Sequence, residues 1–351
     1  MTQPIVVVAF GANTPVGRDA WSSAAAVRAG ISGITEHPYM IDSVGEPMCV
    51  TQADWLDVKL HGAARFEALL MPAIEPVVEA LTETGADSGR ILCALGLPNP
   101  RPGVPDTVGD MLMQAIERRY PSQFTAVAPF PYGHAAGLLG LEAGIKCLQG
   151  GEADACVIAG VDSYLAPETL EWLERCDQLH GGGPLNNAWG LTPGEAAGAL
   201  LIARADFAKQ YGLPVLASIL GIGTAHESKR IKTPAVCLGE GLTRAFRLAL
   251  AAIPDEIQVS DIYCDLNGEP YRADEYGFTC LRTKEFFISP SNFVAPADCW
   301  GDVSAAGGPL HLMLATVAGL KQYAQGQLAF VWSSGEDGNR AAVLLATDRR
   351  D

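Results

Sequence analysis

The stretch Phe130-Pro131-Tyr132-Gly133-His134-Ala135-Ala136-Gly137, FPYGHAAG, lies between a short apolar segment and a run with helical periodicity. Prolines at 129 and 131, a glycine and then a histidine mark a point where strand gives way to helix. Beyond it, Leu138, Leu141, Ile145 and Leu148 are spaced three, four and three residues apart, which places them on one apolar helical stripe. Gly137, Gly140 and Gly144 lie on another face of the same helix. Glycine is unfavourable inside a helix, so a set of three predicts close approach to another backbone.

Outward from this turn the chain alternates strands and helices. The helix is predicted to stop near Gly150-Gly151 and to feed a strand at 155–160. Upstream, the β-branched run at 5–10, closed by Gly11, reads as a buried strand. A helix over 19–29 follows, with Gly30 as its stop, then a strand at 91–95, a Pro-rich loop at 97–105 and a helix over 111–118. The loop at 97–105 suits either a lid or an intersubunit contact. A glycine-rich loop at 180–184 precedes a strand at 199–203.

The pattern then restarts, with strands at 215–222, 262–264, 328–332 and 341–346 and helices over 241–252 and from about Asp302 to Leu320. Two similar α/β halves are predicted, 1–212 and 213–351, packed together without a disordered linker.

Bulk properties agree with a well-buried globular chain: 351 residues, 48% hydrophobic, 18% charged. A net charge of -16 argues against nucleic acid, because phosphate binding needs a basic surface. It argues less strongly against docking an acidic carrier protein, and Lys229, Arg230 and Lys232 form one local basic cluster. The nine cysteines include no CxxC pair, and Cys93, Cys156 and Cys264 fall in apolar runs, which fits reduced buried thiols. The six histidines show no metal-site spacing. Neither a basic leader nor an uncharged run of membrane-spanning length is visible, so a cytoplasmic protein that avoids membranes is expected.

Five segments, in order, resemble the β-ketoacyl synthases, the condensing enzymes of the thiolase superfamily. They are VVVAFGANTPVG (6–17), GGEADACVIAGVDS (150–163), GEAAGALLI (194–202), GEGLTRAFRLAL (239–250) and WGDVSAAGG (300–308). The resemblance implies an α/β thiolase fold, five layers α/β/α/β/α built from two similar halves. It also implies a homodimer paired through the first-half sheet, and an acyltransferase ancestry of the 3-oxoacyl synthase type in fatty-acid or polyketide metabolism.

The family works with a Cys-His-His triad. Matching segment by segment puts His134 at the nucleophile, Asn267 at the first histidine and Asp302 at the second. Ala297 stands at a usual lysine, and 334–338 (Ser-Gly-Glu-Asp-Gly) at the GFGG loop. Claisen condensation needs a thiolate to carry the acyl group and imidazoles to support the enolate; aspartate has the wrong charge for that.

The expected function is therefore a non-catalytic partner or acyl-binding module for an acyl carrier protein or a catalytic synthase, with no cofactor or metal. Two alternatives stand beside it. One is a thioester hydrolase or decarboxylase using a His134–Asp302 dyad; the other is an active 3-oxoacyl synthase served by another cysteine, such as Cys264 or Cys299. Each site residue also has a plainer reading. His134 fills a vacated pocket, Asp302 caps the following helix, Asn267-Gly268 makes a turn, and Glu195 is a partly buried, hydrogen-bonded structural carboxylate.

Overall fold

The computed structural model describes residues 3–231, 233–254 and 256–347. In chain order the first elements are β1 (Ile5–Asn13), α1 (Ala20–Ala29), β2 (Ile34–Ile41), β3 (Pro47–Thr51), α2 (Gly62–Thr84), β4 (Ile91–Gly96) and α3 (Val108–Arg119). Next come β5 (Ala126–Phe130), α4 (Ala136–Gly150), β6 (Ala155–Ser163), α5 (Pro167–Arg175), β7 (Glu195–Arg204) and α6 (Ala205–Tyr211). The rest are β8 (Ala217–His226), α7 (Glu240–Leu250), β9 (Asp261–Cys264), α8 (Pro270–Thr283), α9 (Ala297–Trp300), α10 (Gly307–Leu320), β10 (Leu328–Ser334) and β11 (Asn339–Thr347).

Apart from the β2–β3 hairpin, the strands form one sheet in the order β5-β4-β6-β7-β1-β8-β11-β10-β9. Counted along the chain, strands β1 and β4 to β7 run 3-2-4-5-1, and strands β8 to β11 repeat the order in mirror sense as 1-5-4-2. A third regular strand is missing from the second set among the described residues. Its place is held by the isolated bridges Val259 to Phe287 and Tyr263 to Val294. The two sets meet where Ile5, Val6 and Val7 pair with Ile219, Ser218 and Ala217.

Successive strand residues point to opposite faces, and this alternation separates the layers. Ile5 and Val7 of β1 pack with Leu138 and Leu141 of α4 and Leu310 and Leu314 of α10. Val331 of β10 and Val343 of β11 join the same core, so the two parts of the sheet face each other across α4 and α10. Val6 and Val8 point the other way, onto Leu69, Ile74 and Val77 of α2. Phe330, Trp332 and Leu344 point onto Leu242 and Phe246 of α7 and Tyr276 of α8. The result is five layers, α/β/α/β/α. α10 lies in the middle and is buried at every position from Gly307 to Gly319.

The strands expected from apolar runs are present, each slightly longer than its apolar core. α1 starts at Asp19, whose carboxylate accepts from the backbone N–H of Trp21 and Ser22, and stops at Gly30 with φ 66°. Residues 31–90 carry the largest difference from expectation, because they hold the β2–β3 hairpin and the 23-residue helix α2. Pro72 and Pro76 lie inside α2, and each removes a backbone donor. The helix persists because Leu69, Leu70, Ala73, Ile74, Val77 and Leu81 are completely buried against the sheet.

The glycines of α4 meet the expectation of close backbone approach at Gly137 only. A Cβ on Gly137 would run into Cδ of Pro309, on Gly140 it would meet Ala94 Cβ at 3.1 Å, and on Gly144 Cys156 Sγ at 3.0 Å. At Gly137 the backbone of α10 also comes close, since a Cβ there would lie 3.4 Å from Pro309 N, whereas Gly140 and Gly144 meet side chains of β4 and β6. No described helix is long and apolar enough to cross a membrane.

Candidate functional site

β5 runs into a tight turn in which Gly133 takes φ 53°, a left-handed conformation that suits glycine. A short 3-10 turn (Gly133–Ala135) then leads into α4, so His134 is delivered at the entrance to the central helix and is 3% exposed. Asp302 reaches the same point from the turn before α10, and Asn267 from the loop between β9 and α8. The three predicted residues, remote in sequence, do meet.

His134 Nε2 lies 2.9 Å from both carboxylate oxygens of Asp302. Asn267 Nδ2 donates to Asp302 Oδ2 at 2.6 Å and to Glu269 Oε2 at 3.0 Å. Asp302 Oδ1 also accepts from the backbone N–H of Ser304 at 2.8 Å, a local turn rather than the expected helix cap, because the residue before α10 is Ala306 and no side chain caps that helix. Asn267 Oδ1 accepts from the Glu269 backbone at 3.2 Å and Gly268 has φ 101°, which makes Asn267-Gly268 a turn as well as a site residue.

The decisive neighbour is Arg272, absent from the sequence expectations and completely buried. Its guanidinium meets Asp265 Oδ2 at 3.2 Å, Glu269 Oε2 at 3.3 Å and the Ser334 carbonyl at 2.7 Å. Its Nη2 lies 3.3 Å from His134 Nδ1 and 3.1 Å from Nε2. A nitrogen nearly equidistant from both ring nitrogens at that range cannot lie in the ring plane without striking Cε1. Nη2 therefore lies over the imidazole face rather than in its plane.

A signal for Arg272 existed. Pro270 opens α8, and a cation in the first turn opposes the helix dipole. With Asp265 and Glu269 just ahead of it, that arrangement points to a buried ion pair.

Three carboxylates, Asp265, Glu269 and Asp302, thus share one guanidinium and one imidazole. Burial and the adjacent Arg272 push the His134 pKa down, but Asp302 outweighs them and the net shift is upward. Burial would raise Asp302; His134, Arg272 and the Asn267 amide outweigh it and hold its carboxyl well below the usual range. Burial raises Asp265. Nearby His311 is driven down to about 3 by burial.

The space left beside His134, Asn267 and Asp302 is about 20 Å³, room for about one water. Cys264 borders it, yet burial pushes this thiol up and its Sγ faces the Val294 carbonyl at 3.7 Å. Burial also raises the Cys299 thiol. Ala297, at the family's lysine, lines the same space.

Glu195 is completely rather than partly buried. It takes both Nε and Nη2 of Arg65 at 2.6 Å, the Ala53 backbone N–H at 2.8 Å and the Ser163 hydroxyl at 2.8 Å. Such a fully satisfied carboxylate anchors β7 to α2. All nine cysteines are free. Glu227, Cys237 and Glu275 bring ligand atoms within 4.8 Å of one another. Glu227 already accepts from the Lys229 and Gly241 backbones, and Glu275 is taken by Arg340 and Ser334. Burial lifts the Cys237 thiol to about 11, so the cluster lacks a ready thiolate ligand. In the basic cluster, Lys229 pairs with Glu240 at 3.4 Å and Arg230 reaches the Asp337 carbonyl at 3.4 Å; Lys232 lies outside the described residues.

No family model matches the chain. Among characterised proteins, it is 25% identical over 285 residues to 3-oxoacyl-[acyl-carrier-protein] synthase 2 of Staphylococcus aureus (strain COL), covering 70% of this chain and 68% of that one. Among solved structures, it superposes with TM-score 0.79 and 16% identity on a type II polyketide synthase acyl-carrier protein in complex with its ketosynthase, covering 99% of this chain and 100% of that one. The ishigamide ketosynthase/chain length factor gives 0.78 at 17% identity, over 99% of this chain and 100% of that one. The fold is that of the ketosynthases in these structures. The chain is thus similar in sequence to a 3-oxoacyl synthase and in fold to ketosynthases.

Proposed function

We propose that this chain is a non-condensing β-ketoacyl-synthase-like protein that serves as a partner or acyl-binding module beside an active synthase. One observation carries the reading: an imidazole stands at the elbow where condensation needs a thiolate, with Arg272 Nη2 3.1 Å from it and the guanidinium paired to Asp265 and Glu269. With about 20 Å³ left beside His134, an acyl thioester has no room. The same lack of room weighs against a His134–Asp302 hydrolase or decarboxylase, although base and orienting carboxylate are within hydrogen-bond distance.

The partner class is supported by relatives seen with an acyl-carrier protein and with a chain length factor. In this reading, two chains, or this chain and a catalytic synthase, pair through β5, the terminal strand at the first-half end of the sheet.

The test combines mass spectrometry with size-exclusion chromatography. After incubation with acyl and malonyl thioesters, no acyl adduct is expected on any cysteine. A stable complex is expected with the host's acyl carrier protein or 3-oxoacyl synthase. An acyl-cysteine adduct that turns over with malonyl thioester would overturn the non-condensing assignment. Absence of any such complex would overturn the partner role.

A further inference from the structure

A second cavity lies beside Arg65 and Ser163, two of the side chains that hold Glu195. It measures about 690 Å³ and lies between the β2–β3 hairpin, the start of α2, the Pro-rich loop and the start of α5. That volume is within the range of small-molecule sites, roughly 300–1,000 Å³. Met40, Leu60, Phe66, Val104 and Leu165 give it apolar walls, and His37 and His61 supply imidazoles.

The backbone sets the tautomer of each imidazole. His37 Nδ1 accepts from the N–H of Tyr39 at 3.2 Å and of Met40 at 3.0 Å, so the ring proton is on Nε2. His61 Nδ1 is 2.5 Å from the Lys59 carbonyl and must donate to it, which leaves the neutral ring's Nε2 as an acceptor. One histidine thus offers a donor and the other an acceptor. The guanidinium in the wall is already paired: Arg65 Nε and Nη2 donate to Glu195, and Nη1 to the carbonyls of Asp57 at 3.1 Å and Leu60 at 3.0 Å. Exposed Glu168 stands on the lining, and no lysine does among the described residues. Apart from the two imidazoles, the lining offers an anion no unpaired cation among the described residues.

We propose that this cavity binds an uncharged, mostly apolar small molecule carrying both an acceptor and a donor, such as an amide or hydroxy-ketone on a medium-length hydrocarbon. The proposal is independent of the partner role, since it uses none of the residues around His134.

The test is fluorescence titration of the full chain with N-phenyl-1-naphthylamine, an uncharged probe. Displacement by decanamide is then compared with displacement by decanoate, which differs in the charge of its head group. Saturable binding is expected, with decanamide effective at a concentration at least about tenfold lower than decanoate. Val104→Trp and Leu60→Trp, each checked for a cooperative thermal transition, are expected to abolish binding by filling the cavity. His37→Phe is expected to reduce the preference for the amide. The proposal is overturned by absence of saturable binding, by decanoate competing as well as decanamide, or by a folded tryptophan variant that binds as the wild type does. If one tryptophan variant does not fold, the other and the amide-to-acid ratio still decide.

Discussion

Asp302 holds His134, Asn267 and the Ser304 backbone at once, and Arg272 compensates the carboxylates gathered behind it. Arg272→Met leaves Asp265 and Glu269 buried without their cation. The expected loss is about 3–5 kcal/mol, read from urea unfolding. The same cluster gives a pH dependence with a defined sign. The folded pKa of His134 is raised above 6.5, so its stabilisation is complete below that pH and is lost as pH rises through the folded value. For His311, depressed from 6.5 to about 3, stabilisation is present above 6.5 and is lost as pH falls toward 3. Unfolding midpoints measured from pH 4 to 9 should show the alkaline decline vanish in His134→Gln and the acid decline shrink in His311→Leu. His311 Nδ1 has no hydrogen-bond partner, so His311→Leu should also cost little or nothing at neutral pH.

At the scale of elements, α4 and α10 cross where Gly137 faces Pro309. Gly137→Ala drives a methyl into that ring and should destabilise by about 1–3 kcal/mol. Pro309→Ala in the same chain should recover part of the loss, and thermal melts of the two single variants and the double variant measure the coupling. Elements with a strong local signal were legible: the β-branched run of β1, the Asp19 and Gly30 boundaries of α1, and the leucine stripe of α4. α2 was not, because Pro72 and Pro76 are local breakers whose cost is offset only by burial against β1, β6 and β7. The second set of strands likewise reads as a repeat of the first, yet its third strand is reduced to two bridges.

At the scale of the molecule, β5 ends the sheet with an unpaired edge, and its Ala126, Ala128 and Pro129 are exposed. An open apolar edge is a template for another chain. Ala128→Lys is expected to convert a paired species to monomer by light scattering, while the circular dichroism of the chain stays unchanged. The sequence by itself determined the alternation of strands and helices, the doubled α/β plan and the elbow that presents His134. These follow from periodicity and turn residues within about 20 neighbouring positions. Only the tertiary structure decided what surrounds that histidine. His134, Asn267, Arg272 and Asp302 come from separate elements, and no local pattern shows that Arg272 reaches the ring or that only about 20 Å³ is left beside His134 and Asp302. Charge pairing and volume are set by distances between elements, which appear only once the layers have packed.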